Sequence, residues 1–484
     1  MTSLNGIWLT RYLFQRSLGL IYLMAFLVTL NQFRPLLGSR GLLPALDFMK
    51  QVRFWESPSL FYFFTKDSAF TIAAWGGVFL SCLAISGFSD RYSLWFSMSV
   101  WGALWLLYLS FVNVGQVFYG FGWESILLEA GFYTIFLGSS SVEPPPLMLW
   151  MQRWLLFRIM FGAGLIKLRG DACWRDLTCL NYHYETQPMP NPLSWYFHWA
   201  PEWTHRAGVV FNHVAELVVP FGYFVPGTTG AVAGMITILF QLLIMASGNL
   251  SWLNALTLVL TIPLFNDRWL RGFVPVEAAI QSPMGMGLQA ATMAVTLVVA
   301  WLSLRPIGNM LSPRQIMNTT YNPFHLVGTY GAFGGITRTR YEVIIEGTEE
   351  TPTASTVWKP YEFKGKPGDP RRLPPVIAPY HLRLDWLMWF AAMSGPGQHP
   401  WFFHLMAKLL QNDPETLSLL KMNPFPHHAP LYVRAELYEY HFTTPAEKNQ
   451  MGSWWKRQRV GEYFPAVSLA TPGFHRALAQ MDWL

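Results

Sequence analysis

Long apolar runs alternate with short polar stretches as far as Arg305, and beyond it the pattern changes to alternating apolar and polar positions. The runs cover residues 13–30, 70–88, 94–118, 123–137, 147–168, 209–225, 230–246, 252–265 and 287–304. A helix needs about 20 apolar residues to cross roughly 30 Å of hydrocarbon, so the pattern predicts about nine transmembrane or re-entrant helices. Two runs, 123–137 and 252–265, are short enough to be re-entrant or buried among the others. The first run follows Arg11 and Arg16 and precedes no small-residue cleavage site, so it reads as a retained anchor rather than a removed leader. Residues 1–305 are expected to form a polytopic α-helical membrane domain.

After Arg305, TRYEVIIE at 339–346 and YVRAELYEYHF at 432–442 alternate as half-buried strands do, while 401–410 and 415–422 read as helical. GKPGDPRR at 365–372 is a turn-rich loop. Residues 306–484 are therefore expected to be a soluble β-rich α+β domain. Composition agrees with this division: 52% hydrophobic, 16% aromatic and 13% charged residues describe a multi-pass membrane protein better than a soluble enzyme. The net charge of +6 suits loops beside anionic lipid, and no basic tract with interleaved aromatics points to nucleic acid. Arg11 and Arg16 favour a cytoplasmic N-terminus, which with nine spans places the C-terminal domain on the other side.

Between two runs lies GDACWRDLTCLNYHYETQPMPNPLSWYFHWAP at 170–201, part of a structured aromatic loop expected over 169–205. Its four prolines deny it a long helix, and its rings suit a bilayer surface or a packed protein face. Asp171, Cys173, Trp174, Arg175, Asp176, Cys179, Tyr184, Glu185 and Asn191 are its chemistry-bearing positions. The spacing of Cys173 and Cys179 matches neither a zinc nor a thioredoxin motif. Two readings stay open for them: a small disulfide ring in an oxidising compartment, or two buried thiols.

Polar residues inside the runs are costly and need partners. Glu124 and Glu129 stand about 140° apart around a helix, so each is expected to find its own partner, with Arg153 and Arg158 the candidates. Asn212, His213 and Glu216 share a helical face and suit an interhelical hydrogen-bond network better than a metal site. Ser247, Asn249, Ser251 and Asn254 suit a buried turn. No nucleophile elbow, phosphate loop, H-E-x-x-H or dinucleotide fingerprint is present, and no metal or cofactor is expected. Asn249-Leu-Ser and Asn318-Thr-Thr match the glycosylation acceptor pattern.

FGWESILLEAGFYTIFLG from Phe121, RWLLFRIMFGAGLIKLRGD from Arg153 and the following CWRDLTCLNYHYETQPMPNP resemble the lipase maturation factor family. So do SGNLSWLN from Ser247, the stretch NTTYNPFHLVGTYGAFGGITRTR around Tyr330, KPGDP at Lys366 and PYHLRLDWLMWFAAM from Pro379. The resemblance covers nearly the whole chain. It implies a membrane-anchored chaperone-like factor that helps a secreted lipase or related client fold and assemble. It also implies residence in the endoplasmic reticulum membrane of a eukaryote, or the inner membrane of a bacterium, with the C-terminal domain lumenal or periplasmic. Its partners would be that client and membrane lipid, with Tyr330, Tyr341, Tyr380, Asp385, Trp386, Trp389 and Tyr438 the candidate client-binding residues. Where many members carry cysteines near KPGDP, this chain has Gly365 and Pro375, so no disulfide is expected there.

GLIKL at 164–168, the Trp-containing loop and ELVVP at 216–220 also bear a shorter resemblance to the vitamin K-dependent carboxylase group of membrane enzymes. That resemblance implies Lys167 as a base, with His183 or His198 assisting. The plainer reading is that Lys167 and Arg169 mark the end of a span. A transporter using the buried Glu and Arg residues is the third class, though no pair of matched, broken halves supports it.

Overall fold

In the computed structural model, residues 6–273, 276 and 280–481 are described. Among the described residues, nine helices of nine or more residues carry the first two thirds of the chain. They are α1 (Trp8–Leu37), α2 (Asp67–Ser86), α3 (Leu94–Val114), α4 (Gly122–Ile135), α5 (Pro146–Arg169), α6 (Glu202–His213), α7 (Thr228–Ser247), α8 (Leu253–Thr261) and α9 (Met286–Leu311). Among the described residues six helical stretches are long and apolar enough to cross a membrane: α1, α2, α3, Glu202–Phe224, α7 and α9. Of the about nine transmembrane or re-entrant helices expected, these six meet that test of length and composition. The short α4 and α8 and the cation-bearing α5, with Arg153, Arg158, Lys167 and Arg169, pack among them.

The two ends of the bundle are tied differently. At the α1 start, Ile7 offers no side-chain cap, and the first-turn N–H groups of Trp8 and Leu9, which have no partner within the helix, are taken by Asp267 at 3.1 and 2.9 Å. Arg16 pairs with Asp90 at 2.5 Å, and Arg11 donates to the Val142 carbonyl at 2.6 Å. The opposite end gathers loop 170–201, the turn after α7 and the whole C-terminal part. There Gln32 donates to the His381 carbonyl, Asn249 joins 375–378, and Trp195 donates to the Thr443 carbonyl. Exposure follows position: α1 buries Phe14, Leu18, Tyr22 and Phe26, while α9 leaves Met293, Leu297, Trp301 and Leu304 open, as a lipid-facing helix does.

The last long helix runs on to Leu311 with Pro306 inside it, past the boundary expected at 305. A four-stranded antiparallel sheet follows, built from β1 (Arg340–Thr348), β2 (Lys359–Pro360), β3 (Tyr432–Phe442) and β4 (Trp455–Val467), in the order β2-β1-β3-β4. Helix α10 (Arg383–Ala391) packs on β1, and α11 (Pro400–Leu410) packs on β3. Two expectations are corrected here. The strand at 339–346 is buried along its length except at Tyr341, because β1 is an inner strand with α10 and loop 185–188 against it. The helix expected over 415–422 divides into Pro414–Leu417, capped by Asp413, and the strand Leu420–Met422, which pairs with Glu362–Phe363.

Candidate functional site

Three buried ion pairs and one loop brace the bundle and its junction with the C-terminal part. On α4, Glu129 is fully enclosed and receives Arg158 Nη2 and Nη1 from α5, the latter at 3.2 Å. The Tyr133 hydroxyl donates to the same carboxylate at 2.5 Å and that of Tyr330 at 2.8 Å. Arg158 Nη1 also donates to the Gly328 carbonyl at 2.7 Å. The stretch 328–330 lies so close to α5 that a Cβ on Gly162 would stand 2.4 Å from the Tyr330 oxygen. The pairing of Glu129 with Arg158 matches expectation. Tyr330 does not present a client surface: at 3% exposed it is part of this buried network.

Glu124 is paired neither with Arg153 nor with Arg158. Arg383, from the first turn of α10, reaches it at 2.7 Å and also donates to the Phe118 carbonyl at 2.7 Å. Both side chains are fully buried, the Tyr108 hydroxyl donates to the other carboxylate oxygen, and the guanidinium lies 3.5 Å over the Tyr119 ring. Arg153 instead donates to the backbone carbonyls of Pro263 and Tyr223. Sequence reasoning missed Arg383; the signal that could have found it is a lone cation in the apolar text LRLDWLMWF.

The third pair is Lys167 with Glu216 at 2.6 Å, both nearly buried. Lys167 Nζ also donates to Asn212 Oδ1 at 2.9 Å and lies 4.9 Å from the Trp174 ring. Asn212 and Glu216 meet as expected, the amide donating to the carboxylate at 2.9 Å. His213 leaves that face and bonds the Trp174 carbonyl at 3.0 Å. The helix changes to a π turn at Val214–Val218, so the simple 3.6-residue face breaks there. The histidines suggested as assistants do not bond Lys167. His183 stands edge-on to Phe333, and desolvation, with the Lys167 charge adding to it, lowers its imidazole to about 4. His198 contacts Glu185, Trp199 and Phe442.

Loop 170–201 is a fastening rather than an open site. Asp171 caps the short helix Ala172–Arg175 and takes Arg338 at 2.7 Å; that guanidinium holds its carboxyl down at about 2. Cys173 and Cys179 are joined by a disulfide. The Trp174 indole donates to the Phe333 carbonyl, and Arg175 donates to the Leu168 carbonyl at the α5 end, while Asp176 is exposed. Tyr184 packs on Phe197 and His205. Glu185 receives the Phe442 N–H at 2.7 Å and His441 at 2.8 Å, and Asn191 donates to the Met245 and Ala246 carbonyls at the end of α7. Arg340, unnoticed in the sequence, is buried and donates to the carbonyls of Glu185, Gln187 and Pro188 while pairing with Glu342.

Of the other residues named for client contact, Asp385 and Trp386 are buried at 1% and 5%, so they too present no outer face to a protein client. Tyr380, Trp389 and Tyr438 are half-buried, and Tyr341 is exposed. Among the described residues no group of three or more His, Cys, Asp or Glu side chains is placed to hold a metal ion.

The fold and its pinned junction define a multi-pass membrane protein whose C-terminal part is built onto one end of the helix bundle. The family model described as the lipase maturation factor transmembrane domain matches residues 9–272, and that of the lipase maturation factor C-terminal domain matches residues 326–465. Lipase maturation factor 1 of Bos taurus is 44% identical, the alignment covering 95% of this chain and 89% of the relative. The Homo sapiens protein of that name is also 44% identical, over 96% of this chain and 88% of the relative. Lipase maturation factor 2 of Xenopus laevis is 30% identical, over 98% and 84%. The chain belongs to the lipase maturation factor family. No solved structure matches it.

Proposed function

We propose that the chain is a membrane-anchored factor that assists the folding and assembly of a secreted lipase or a related client. The observation that carries this reading is the 44% identity to proteins named lipase maturation factor 1 across both the bundle and the C-terminal part. The location that goes with it is the endoplasmic reticulum membrane, or the inner membrane in a bacterium, with the C-terminal part on the non-cytosolic side. The architecture suits the role. Buried pairs at Glu124 and Glu129 turn the C-terminal part into a rigid extension of the bundle, able to hold a client beside the membrane without changing shape.

The reading of Lys167 as a base has less support. Its amine is enclosed by Asn212, Glu216 and the Trp174 ring and spends its hydrogen bonds on the first two, as a structural group does. Removing the whole C-terminal part is a poor test, because it strips Arg383 from Glu124 and Tyr330 from Glu129. The cleaner experiment is co-purification of a co-expressed secreted lipase with the intact protein, beside a variant with exposed Tyr341→Ser and one with Lys167→Met and Glu216→Met together. Lipase held by the intact chain and by the Lys167 variant supports the factor. A lipase never retained in the folding compartment counts against it.

A further inference from the structure

Where the far end of α1 meets the C-terminal part, a cleft of about 300 Å³ opens between Asn31, Gln32, Lys364, Tyr380, Asp385 and Leu419. That size falls at the lower end of small-ligand sites. The hydrogen bonds around it leave particular atoms uncommitted. Asp385 lines the cleft and is 1% exposed; its Oδ1 accepts the Gly365 N–H at 2.5 Å, and among the described residues no hydrogen bond is made to Oδ2. A carboxylate this buried needs donors on both oxygens. The Tyr380 oxygen accepts from Asn31 Nδ2 and Gln32 Nε2, both at 3.2 Å, which fills its lone pairs and leaves its O–H proton to give. Lys364 Nζ spends one proton on the Ser418 carbonyl at 2.5 Å and keeps two.

A ligand for this cleft must donate to one group and accept from its neighbours. An anion would meet Asp385, and a cation would meet Lys364, with Lys366 and Arg372 also close enough to act on Asp385. A hydrocarbon would leave the buried acceptor unpaired. Neighbouring hydroxyls on one ring meet the requirement, because each both donates and accepts, while Leu382 and Leu384 supply apolar wall for ring C–H groups.

We propose that this cleft binds a neutral polyhydroxyl ligand, one or two saccharide units in size, with a hydroxyl donating to Asp385 Oδ2 and others accepting from Tyr380 and Lys364. The saccharide is either a glycan on a protein or the headgroup of a glycolipid, since the cleft lies at the end of a membrane helix.

The test uses the full chain in lipid nanodiscs, probed by saturation-transfer NMR with a panel of free neutral mono- and oligosaccharides. Asp385→Asn is the informative variant: it keeps the Oδ1 acceptor for Gly365 and exchanges Oδ2 for an N–H donor, so the fold is retained and the polarity of the open atom is reversed. A saccharide that binds the native chain, weakens roughly tenfold or more in Asp385→Asn at unchanged melting temperature, and weakens also in Tyr380→Phe, supports the site. Competition by nanodiscs carrying a neutral glycolipid assigns the headgroup source, and its absence assigns the protein-linked glycan. Binding by no saccharide, equal binding by Asp385→Asn, or binding only of acidic sugars or peptides overturns it.

Discussion

Arg383→Met removes the cation that joins α10 to α4 without removing the bulk of its side chain. In the native chain the guanidinium serves Glu124 Oε1 and the Phe118 carbonyl at 2.7 Å each and lies over the Tyr119 ring, with no solvent at either charge. The variant strands a fully buried carboxylate with the Tyr108 hydroxyl as its remaining side-chain donor. Breaking one side of such a pair costs about 3–5 kcal/mol, and the lost cation–π contact adds up to about 2 kcal/mol. Glu124→Met alone strands the arginine at a similar cost. The double variant Arg383→Met, Glu124→Met strands no charge and is expected to recover more than half the loss, because an apolar pair of similar volume is often neutral. Thermal unfolding of the detergent-solubilised chain followed by tryptophan fluorescence reports this directly, since Trp252 lies 5.9 Å from the guanidinium. The exposed Arg314→Met serves as control. A loss with Arg383→Met no greater than with Arg314→Met, or a double variant that loses at least the sum of the two single losses, would show that the pair does not carry this load.

Three further outcomes follow from the same geometry. Replacing Lys167 and Glu216 together by Met leaves no unpaired charge, so lipase maturation is expected to persist within about twofold; its abolition at unchanged protein abundance, scored by secreted lipase activity, would mean that Lys167 does chemistry. His441 lies between Glu185 and Glu439 at 2.8 and 2.7 Å, and these hydrogen bonds, that to Glu185 first, raise its imidazole to about 9. Its contribution is therefore complete below the unfolded value of about 6.5 and fades as pH rises through about 9, so the melting difference between the native chain and His441→Gln should be largest near pH 6 and vanish by pH 10. Asn249→Ala frees the carbonyls of Pro190 and Pro375 and the N–H groups of Ile377 and Ala378, and is expected to cost about 1–3 kcal/mol by chemical unfolding, with no change in glycosylation of a side chain that is only 1% exposed.

The apolar runs foretold the helices well, because length and hydropathy are local properties that a bilayer reads directly. They were less informative where a run carries function in its packing. The helix Pro146–Arg169 has the length of a span but devotes Arg158 and Lys167 to partners on other elements. Alternation found β1 and β3 but misjudged β1, since a period of two cannot show what covers the second face of an inner strand. Glu129 with Arg158 was legible because the two residues stand 29 apart on neighbouring helices. Glu124 with Arg383 spans 259 residues, and no periodicity connects them. The same blindness made buried aromatics such as Tyr330 and Trp386 look like client surface: sequence shows apolar character but not whether another element has already claimed it.

A factor of the proposed kind brings a secreted lipase or related client to its active form from a platform on the membrane. The direct measurement is the specific activity of a secreted lipase expressed in cells lacking their own maturation factor, with and without this chain, normalised to lipase mass. A rise in activity per molecule that is restored by the native chain and lost with Arg383→Met is the predicted result. Equal specific activity with and without the chain, at confirmed expression, would contradict it.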